Sequence, residues 1–282
     1  MIDETVEEIR EMQTHSSSVV AVKATRALGE LSTREHAALD EFERDLEYNA
    51  GALRRANPSH ASLHRAMTEV SDAVIGNAES VEGAIELLKT AVEQTISRIE
   101  TGKHEAAENA AMTFEDGETF LTHDYSSTVL EAVESAAAAG NHMTAHVTEA
   151  RPRYLGRKTA RALAAMDRVE PRLSVDSAAG YCLDRCDRIV IGMDCIVGDT
   201  LYNRVGTFPI AAAAAEVGVP VVVVGSGTKV IEDGFVFENE FRPPSEVMLE
   251  PVEGIEIENP AYDATPMSLV DRVVTDEGVR EF

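Results

Sequence analysis

The 282-residue chain contains no tryptophan, three cysteines, five lysines and only 5% aromatic residues. Cys182 and Cys186 stand four apart and Cys195 is alone, with no second Cys or His pair, so a zinc site is excluded and buried free thiols are expected. Neither a metal nor a cofactor is called for. Apolar runs never approach membrane-spanning length, and the acidic N-terminus carries no basic stretch followed by an apolar one. A soluble, cytoplasmic chain with no membrane partner is expected. Basic residues number 25 against 50 acidic ones, and no basic stripe is present to release counterions from a phosphate backbone, which excludes direct nucleic-acid binding.

What is present is acid. The formal net charge is -25, spread along the chain, while lysine occurs only at 23, 89, 103, 158 and 229. A distributed excess reports solubility rather than a partner, and this Lys-poor, Arg-retaining balance reads as adaptation to a high-salt cytoplasm of the haloarchaeal kind, where screening removes self-repulsion. At 44% hydrophobic content the chain is long enough to bury a sizeable core.

Up to about Glu100, Ala, Leu, Glu and Arg dominate, and apolar residues recur at three and four, predicting helix after helix. Val6, Ile9 and Met12 mark the face of a first helix. Thr14-His15-Ser16-Ser17-Ser18 interrupts it, reading either as a helix start or as an anion-binding helix N-terminus. Asn57-Pro58-Ser59 is a second break. From about Glu105 to Glu118 the pattern changes to alternating strand and helix signals, which places domains at 1–110 and 111–282.

In the second half, Thr119 to Thr122 and Met143 to Thr148 read as strands, and Leu173 to Val175 as a further one. The stretch around which the rest is organised is Asp187 to Lys229. It reads as a strand from Arg188 to Gly192, a loop with Asp194, a turn Asn203-Arg204-Val205-Gly206-Thr207, an alanine-rich helix, and a strand from Val219 to Val224. Short, continuous β-branched runs are what a parallel sheet buried on both faces requires. Ligands of such sheets gather beyond the carboxyl ends of the strands. Candidates to meet there are His123, Asp124, Ser126, Ser127 and Thr128, then Arg151, Asp194, Asn203, Arg204, Gly206, Thr207 and Lys229. Ser126 to Thr128 serve equally as a helix cap or as an anion site, and Arg151 as a phosphate clamp or a surface ion-pair residue. Asp176-Ser177-Ala178 reads as a helix cap, and a final short helix is expected after Pro266.

Leu121-Thr122-His123 with Ser126-Ser127-Thr128, Thr148-Glu149-Ala150-Arg151-Pro152, Val175-Asp176-Ser177-Ala178, Gly192-Met193-Asp194, Asn203-Arg204-Val205-Gly206-Thr207 and Asn259-Pro260-Ala261-Tyr262-Asp263-Ala264-Thr265-Pro266 together resemble the initiation-factor-2B family. That family holds regulatory subunits of the translation exchange factor, ribose-1,5-bisphosphate isomerase and methylthioribose-1-phosphate isomerase. The resemblance implies an α/β protein, an N-terminal all-helical domain followed by a Rossmann-like domain with a mostly parallel sheet, usually dimeric. In its isomerases a cysteine and a later aspartate perform the acid/base chemistry; Asp194 matches the aspartate, and Asp124 stands where the cysteine would be. The isomerases' Arg-Gly-Ala turn near the N-terminus is missing, and Arg204 replaces a common lysine. The departures favour a regulatory-subunit type, a homo-oligomer binding a sugar phosphate or nucleotide, with a translation initiation factor as a partner to test. The alternative is a ribose-1,5-bisphosphate isomerase using Asp194 with Asp124.

Overall fold

The computed structural model describes residues 2–10, 17–231, 235–250 and 252–282. Met12 and the Thr14–Ser16 part of the first interruption lie outside the described residues. Two compact units are resolved, Met1–Gly102 and Lys103–Phe282.

The first unit is helical: α1 (Ile2–Arg10), α2 (Ser17–Gly29), α3 (Leu39–Ala56), α4 (Ala61–Val74) and the greater part of α5 (Val81–Ala111). Its core is one apolar cluster in which Phe42, Leu46, Leu53, Leu63 and Met67 are fully buried. Val6 and Ile9 share the buried face of α1, as their spacing requires. The unit division falls inside α5, because that helix runs unbroken past the point where its packing partners change.

The second unit alternates strand and helix through β1 (Thr119–Thr122), α6 (Ser127–Ala138), β2 (Met143–Thr148), α7 (Leu155–Leu163), β3 (Val169–Ser174), α8 (Ala179–Leu183) and β4 (Arg188–Gly192). It continues through β5 (Cys195–Val197), β6 (Thr200–Arg204), α9 (Thr207–Val217), β7 (Val221–Val224), β8 (Val230–Ile231), β9 (Tyr262–Pro266), β10 (Arg272–Thr275) and β11 (Gly278–Glu281). Seven strands form one sheet in the order β11-β10-β7-β4-β1-β2-β3, parallel except for β11. Both faces are apolar. Phe120, Val133, Val147, Val190 and Val222 pack on one side, and Leu121, Leu183, Ile189, Ile191, Ile210 and Val223 on the other. Neighbouring residues of one strand thus enter opposite cores, as a doubly covered sheet requires.

Three expectations need correction. The loop expected after β4 folds into the β5–β6 hairpin, which joins β8 and β9 in a second, four-stranded sheet. Asn203 and Arg204 therefore end a strand rather than open a turn. The short helix expected after Pro266 is a single 3-10 turn, Met267–Leu269, and is not the final element: strand Tyr262–Pro266 pairs with β6 before it, and the β10–β11 hairpin follows it. Asp176 does not cap its own helix. Its carboxylate accepts from the Ala150 and Arg151 amides, both at 2.7 Å, and so holds the β2–α7 loop against the end of β3.

Candidate active site at the switch point of the sheet

From β1 the chain moves outward in one direction to β2 and β3, and from β4 in the other to β7 and β10. The reversal leaves β1 and β4 side by side with a crevice beyond their carboxyl ends, the place where open α/β sheets take ligands. Asp124 follows β1 and Asp194 follows β4. The two strand ends approach closely only because position 192 lacks a side chain: a Cβ on Gly192 would stand 2.6 Å from the Ser126 side chain. Ser126 in turn caps α6 by accepting from the Val129 amide, so of its two readings the cap is realised. Ser127 begins that helix half-buried, and Thr128 is buried beside it.

Asp124 has a left-handed backbone, φ 66, and is 8% exposed. Its carbonyl accepts from the Thr159 hydroxyl at 2.6 Å, fixing the turn to α7. One carboxylate oxygen, Oδ2, accepts from Arg204 Nε at 3.3 Å; the other, Oδ1, is buried with no partner. A buried carboxylate oxygen left without a donor is costly, and such atoms concentrate at functional sites.

Arg204, delivered by β6, also reaches the Ala261 carbonyl at 3.4 Å and lies 4.8 Å from the centre of the Tyr262 ring. Burial works against its charge, but Asp124, Tyr262 and Asp194 outweigh it and hold the guanidinium above its ordinary range. Asp194 keeps partial solvent exposure, yet protein surrounds it closely enough that burial raises its carboxyl above the usual range. Arg204 and Lys229 pull it back, and the Asp124 charge adds to the rise. Lys229 donates from Nζ to the Met193 carbonyl at 2.8 Å, and its own burial lowers it despite Asp194 and Cys195. Two carboxylates and two cations thus share one enclosed corner, with Asp194 biased towards the protonated form.

The remaining candidates hold the corner in shape. His123 is buried with both ring nitrogens engaged: Nε2 donates to the Val205 carbonyl at 2.9 Å, so in the neutral ring Nδ1 accepts from the Thr148 hydroxyl at 2.6 Å. Asn203 donates to the Thr207 hydroxyl, which donates to the Arg204 carbonyl at 2.7 Å. Gly206 sits at φ 108, and a Cβ there would lie 2.7 Å from His123 Nε2. The Gly206 and Phe208 amides, the natural anion donors of α9, both point at Asp263 Oδ2, at 2.7 and 3.0 Å. That helix N-terminus already holds an anion of its own chain.

Arg151 is exposed; its guanidinium donates to the Val247 carbonyl at 3.3 Å. It lines a small pocket together with Arg153, Arg204 and Arg242, among Pro152, Val205 and Pro260. Arg153 and Arg242 escaped sequence reasoning. Arg153 is two residues from Arg151 on the same loop, a signal that was available, whereas Arg242 arrives from some ninety residues away with no local pattern to announce it. Among the described residues no group of three or more His, Cys, Asp or Glu side chains is placed to hold a metal ion, and no helix is long and apolar enough to cross a membrane. All three cysteines are buried and free.

The initiation factor 2 subunit family matches residues 13–281. A ribose 1,5-bisphosphate isomerase of Haloferax volcanii is 31% identical over 283 residues, covering 97% of this chain and 87% of the relative. One of Haloterrigena turkmenica is 33% identical over 298 residues, covering 97% and 88%. The solved structure of a Pyrococcus horikoshii translation initiation factor 2B superposes with a TM-score of 0.83 over 99% of this chain and 96% of that one; at 24% identity the likeness speaks for the fold.

Proposed function

The chain belongs to the initiation factor 2 subunit family, and on that premise we propose that it is an aldose–ketose isomerase acting on a phosphorylated ribose, with ribose 1,5-bisphosphate as the substrate to test. The observation that carries this reading is the pairing at the switch point: Asp194 biased by burial to keep a proton, beside Asp124 with a buried oxygen lacking a donor. Unlike environments at neighbouring carboxylates separate an acid from a base.

A sugar phosphorylated at C1 has no free aldehyde, so isomerisation opens the ring. Asp194 gives its proton to the ring oxygen as the C1–O bond breaks, while Asp124 takes the proton from C2 and C1=C2 forms. The C2 hydroxyl then loses its proton to the Asp194 carboxylate, C2 becomes a carbonyl, and Asp124 returns a proton to C1. Both carboxyls end as they began. Lys229 and Arg204 hold the negative charge that develops between these steps, and the pocket arginines hold phosphate.

Running the reaction in D2O tests this directly. The acid/base route brings solvent deuterium to C1 of the ketose in proportion to exchange of the Asp124 proton while the enol lasts, and Asp124→Asn slows its formation; ketose free of solvent deuterium and formed as fast by Asp124→Asn as by wild type would overturn it.

One observation favours a second reading. Asp124 is already closed on Arg204, which suits a regulatory subunit that binds a sugar phosphate or nucleotide without turning it over, with a translation initiation factor as partner. Under either reading the chain acts as a closed homo-oligomer in the cytoplasm. Light scattering that returned the 30.5 kDa chain mass would refute the oligomer.

A further inference from the structure

Four guanidinium groups in one small pocket are unexpected in a chain with twice as many acidic as basic residues. They arrive from three separate segments: Arg151 and Arg153 from the β2–α7 loop, Arg204 from β6, and Arg242 from the segment before β9. Crowding of like charge has a cost, visible at Arg153, where burial and the neighbouring Arg242 and Arg204 lower the guanidinium against the opposing pull of Glu246 and Asp124. Apolar atoms of Ala150, Pro152, Val205, Pro260 and Ala261 complete the lining, which keeps the local dielectric low.

The contacts of these arginines are not equally firm. Arg242 is tied down by Glu246 and Glu240, each at 2.7 Å. Arg204 is held more loosely, at 3.3 Å by Asp124 and 3.4 Å by Ala261, and Arg151 reaches Val247 only at 3.3 Å. Charge-assisted contacts of good geometry close to about 2.7–2.9 Å, so Arg204 has a stronger partner still to gain. A dianion with three terminal oxygens offers the fork-to-fork geometry that one Asp124 oxygen does not.

We propose that a phosphate monoester dianion seats among Arg151, Arg153, Arg204 and Arg242 and draws Arg204 away from Asp124, so that binding of phosphate unclasps the carboxylate. This rests on the reading of the crevice as a phosphosugar site, and deepens it. The closed Asp124–Arg204 pair is then the resting state, and a ligand without phosphate leaves Asp124 engaged. Arg151, exposed on the outer wall, swings to admit the anion, because the pocket as it stands is scarcely larger than a water molecule.

The test is a calorimetric titration of the full chain with inorganic phosphate in molar KCl, followed by the same titration with ribose 5-phosphate in its presence. Wild type binds phosphate, and Arg153→Gln and the charge-conserving Arg153→Lys each weaken it by about tenfold, since lysine keeps the charge and loses the fork. Asp124→Asn tightens phosphate severalfold because Arg204 is released, whereas Asp194→Asn leaves it nearly unchanged. Mutually exclusive binding of phosphate and ribose 5-phosphate identifies the substrate's own phosphate as the occupant; simultaneous binding identifies a separate phosphate effector. Both outcomes uphold the site. No phosphate binding, or equal tightening by Asp124→Asn and Asp194→Asn, overturns the partner exchange. Turnover is not involved, so an inactive protein showing this pattern loses only the isomerase reading, and an active one without it loses only this inference.

Discussion

The Arg204 guanidinium stands 3.3 Å from the Asp124 carboxylate, with both side chains almost wholly enclosed. The two stand 80 residues apart in the second unit, Asp124 after β1 and Arg204 at the end of β6. Their pairing ties the four-stranded sheet to the crevice of the seven-stranded one. Removing one partner of a buried pair leaves the other charge uncompensated.

Asp124→Asn therefore weakens the fold by about 2 kcal/mol, less than a fully isolated charge would, because Asp194 and the Tyr262 ring still face Arg204. The same change lowers turnover by about a hundredfold or more if Asp124 is the base. Urea unfolding and steady-state kinetics read the two effects separately. Unaltered stability would show that the pair contributes nothing to the fold.

Asp194→Asn has a pH signature. The folded carboxyl lies above its ordinary value of 3.8, chiefly through burial, so the folded state binds the proton more tightly than the unfolded state. The stability this supplies is complete below the unfolded value and is lost as pH rises through the folded one. The asparagine variant should melt higher than wild type at about pH 8, with the advantage shrinking as pH falls towards the unfolded carboxyl range. A constant difference across that range would contradict the assignment.

His146 works in the opposite sense. It is buried on β2 with Nε2 lacking a partner, and burial, then Arg185 and Arg172, lower it from 6.5. The folded state resists protonation, so stability is lost as pH falls from the ordinary value through the lowered one. His146→Leu should flatten this part of the acid limb in a melting series. An acid limb identical to wild type would place the sensitivity elsewhere.

Salt should stabilise the chain strongly. The net charge of -25 is screened within about 3 Å at molar ionic strength, against about 10 Å at a tenth of that. The melting temperature should rise steeply between low and molar KCl, and an unchanged value would remove the halophilic reading of the composition.

The sequence was legible where a strand is buried on both faces. β1 and β4 were bounded correctly because Phe120-Leu121 and Ile189 to Ile191 are continuous runs that feed two cores at once, and β2 because Met143, Ala145 and Val147 alternate into one core. The β5–β6 hairpin was missed since its strands are short and are bracketed by polar residues, Asp194 just before β5 and Asn203-Arg204 at the end of β6, which break the apolar pattern. β9 was obscured in the same way by Asp263, which serves α9 rather than its own segment. Asp124 and Asp194 do follow the ends of β1 and β4, because both strand ends are legible in the sequence. The arginine pocket was only partly read, because Arg151 and Arg204 belong to motifs, Arg153 stands unremarked two residues from Arg151, and Arg242 joins them through the fold alone.

The central claim is that paired carboxylates at the switch point move protons on a phosphorylated ribose. Purified protein in molar KCl, supplied with ribose 1,5-bisphosphate, should form ribulose 1,5-bisphosphate, and Asp194→Asn should abolish that conversion while retaining phosphate binding. Binding of the sugar with no ketose formed by the wild type would contradict the claim and leave the regulatory reading in its place.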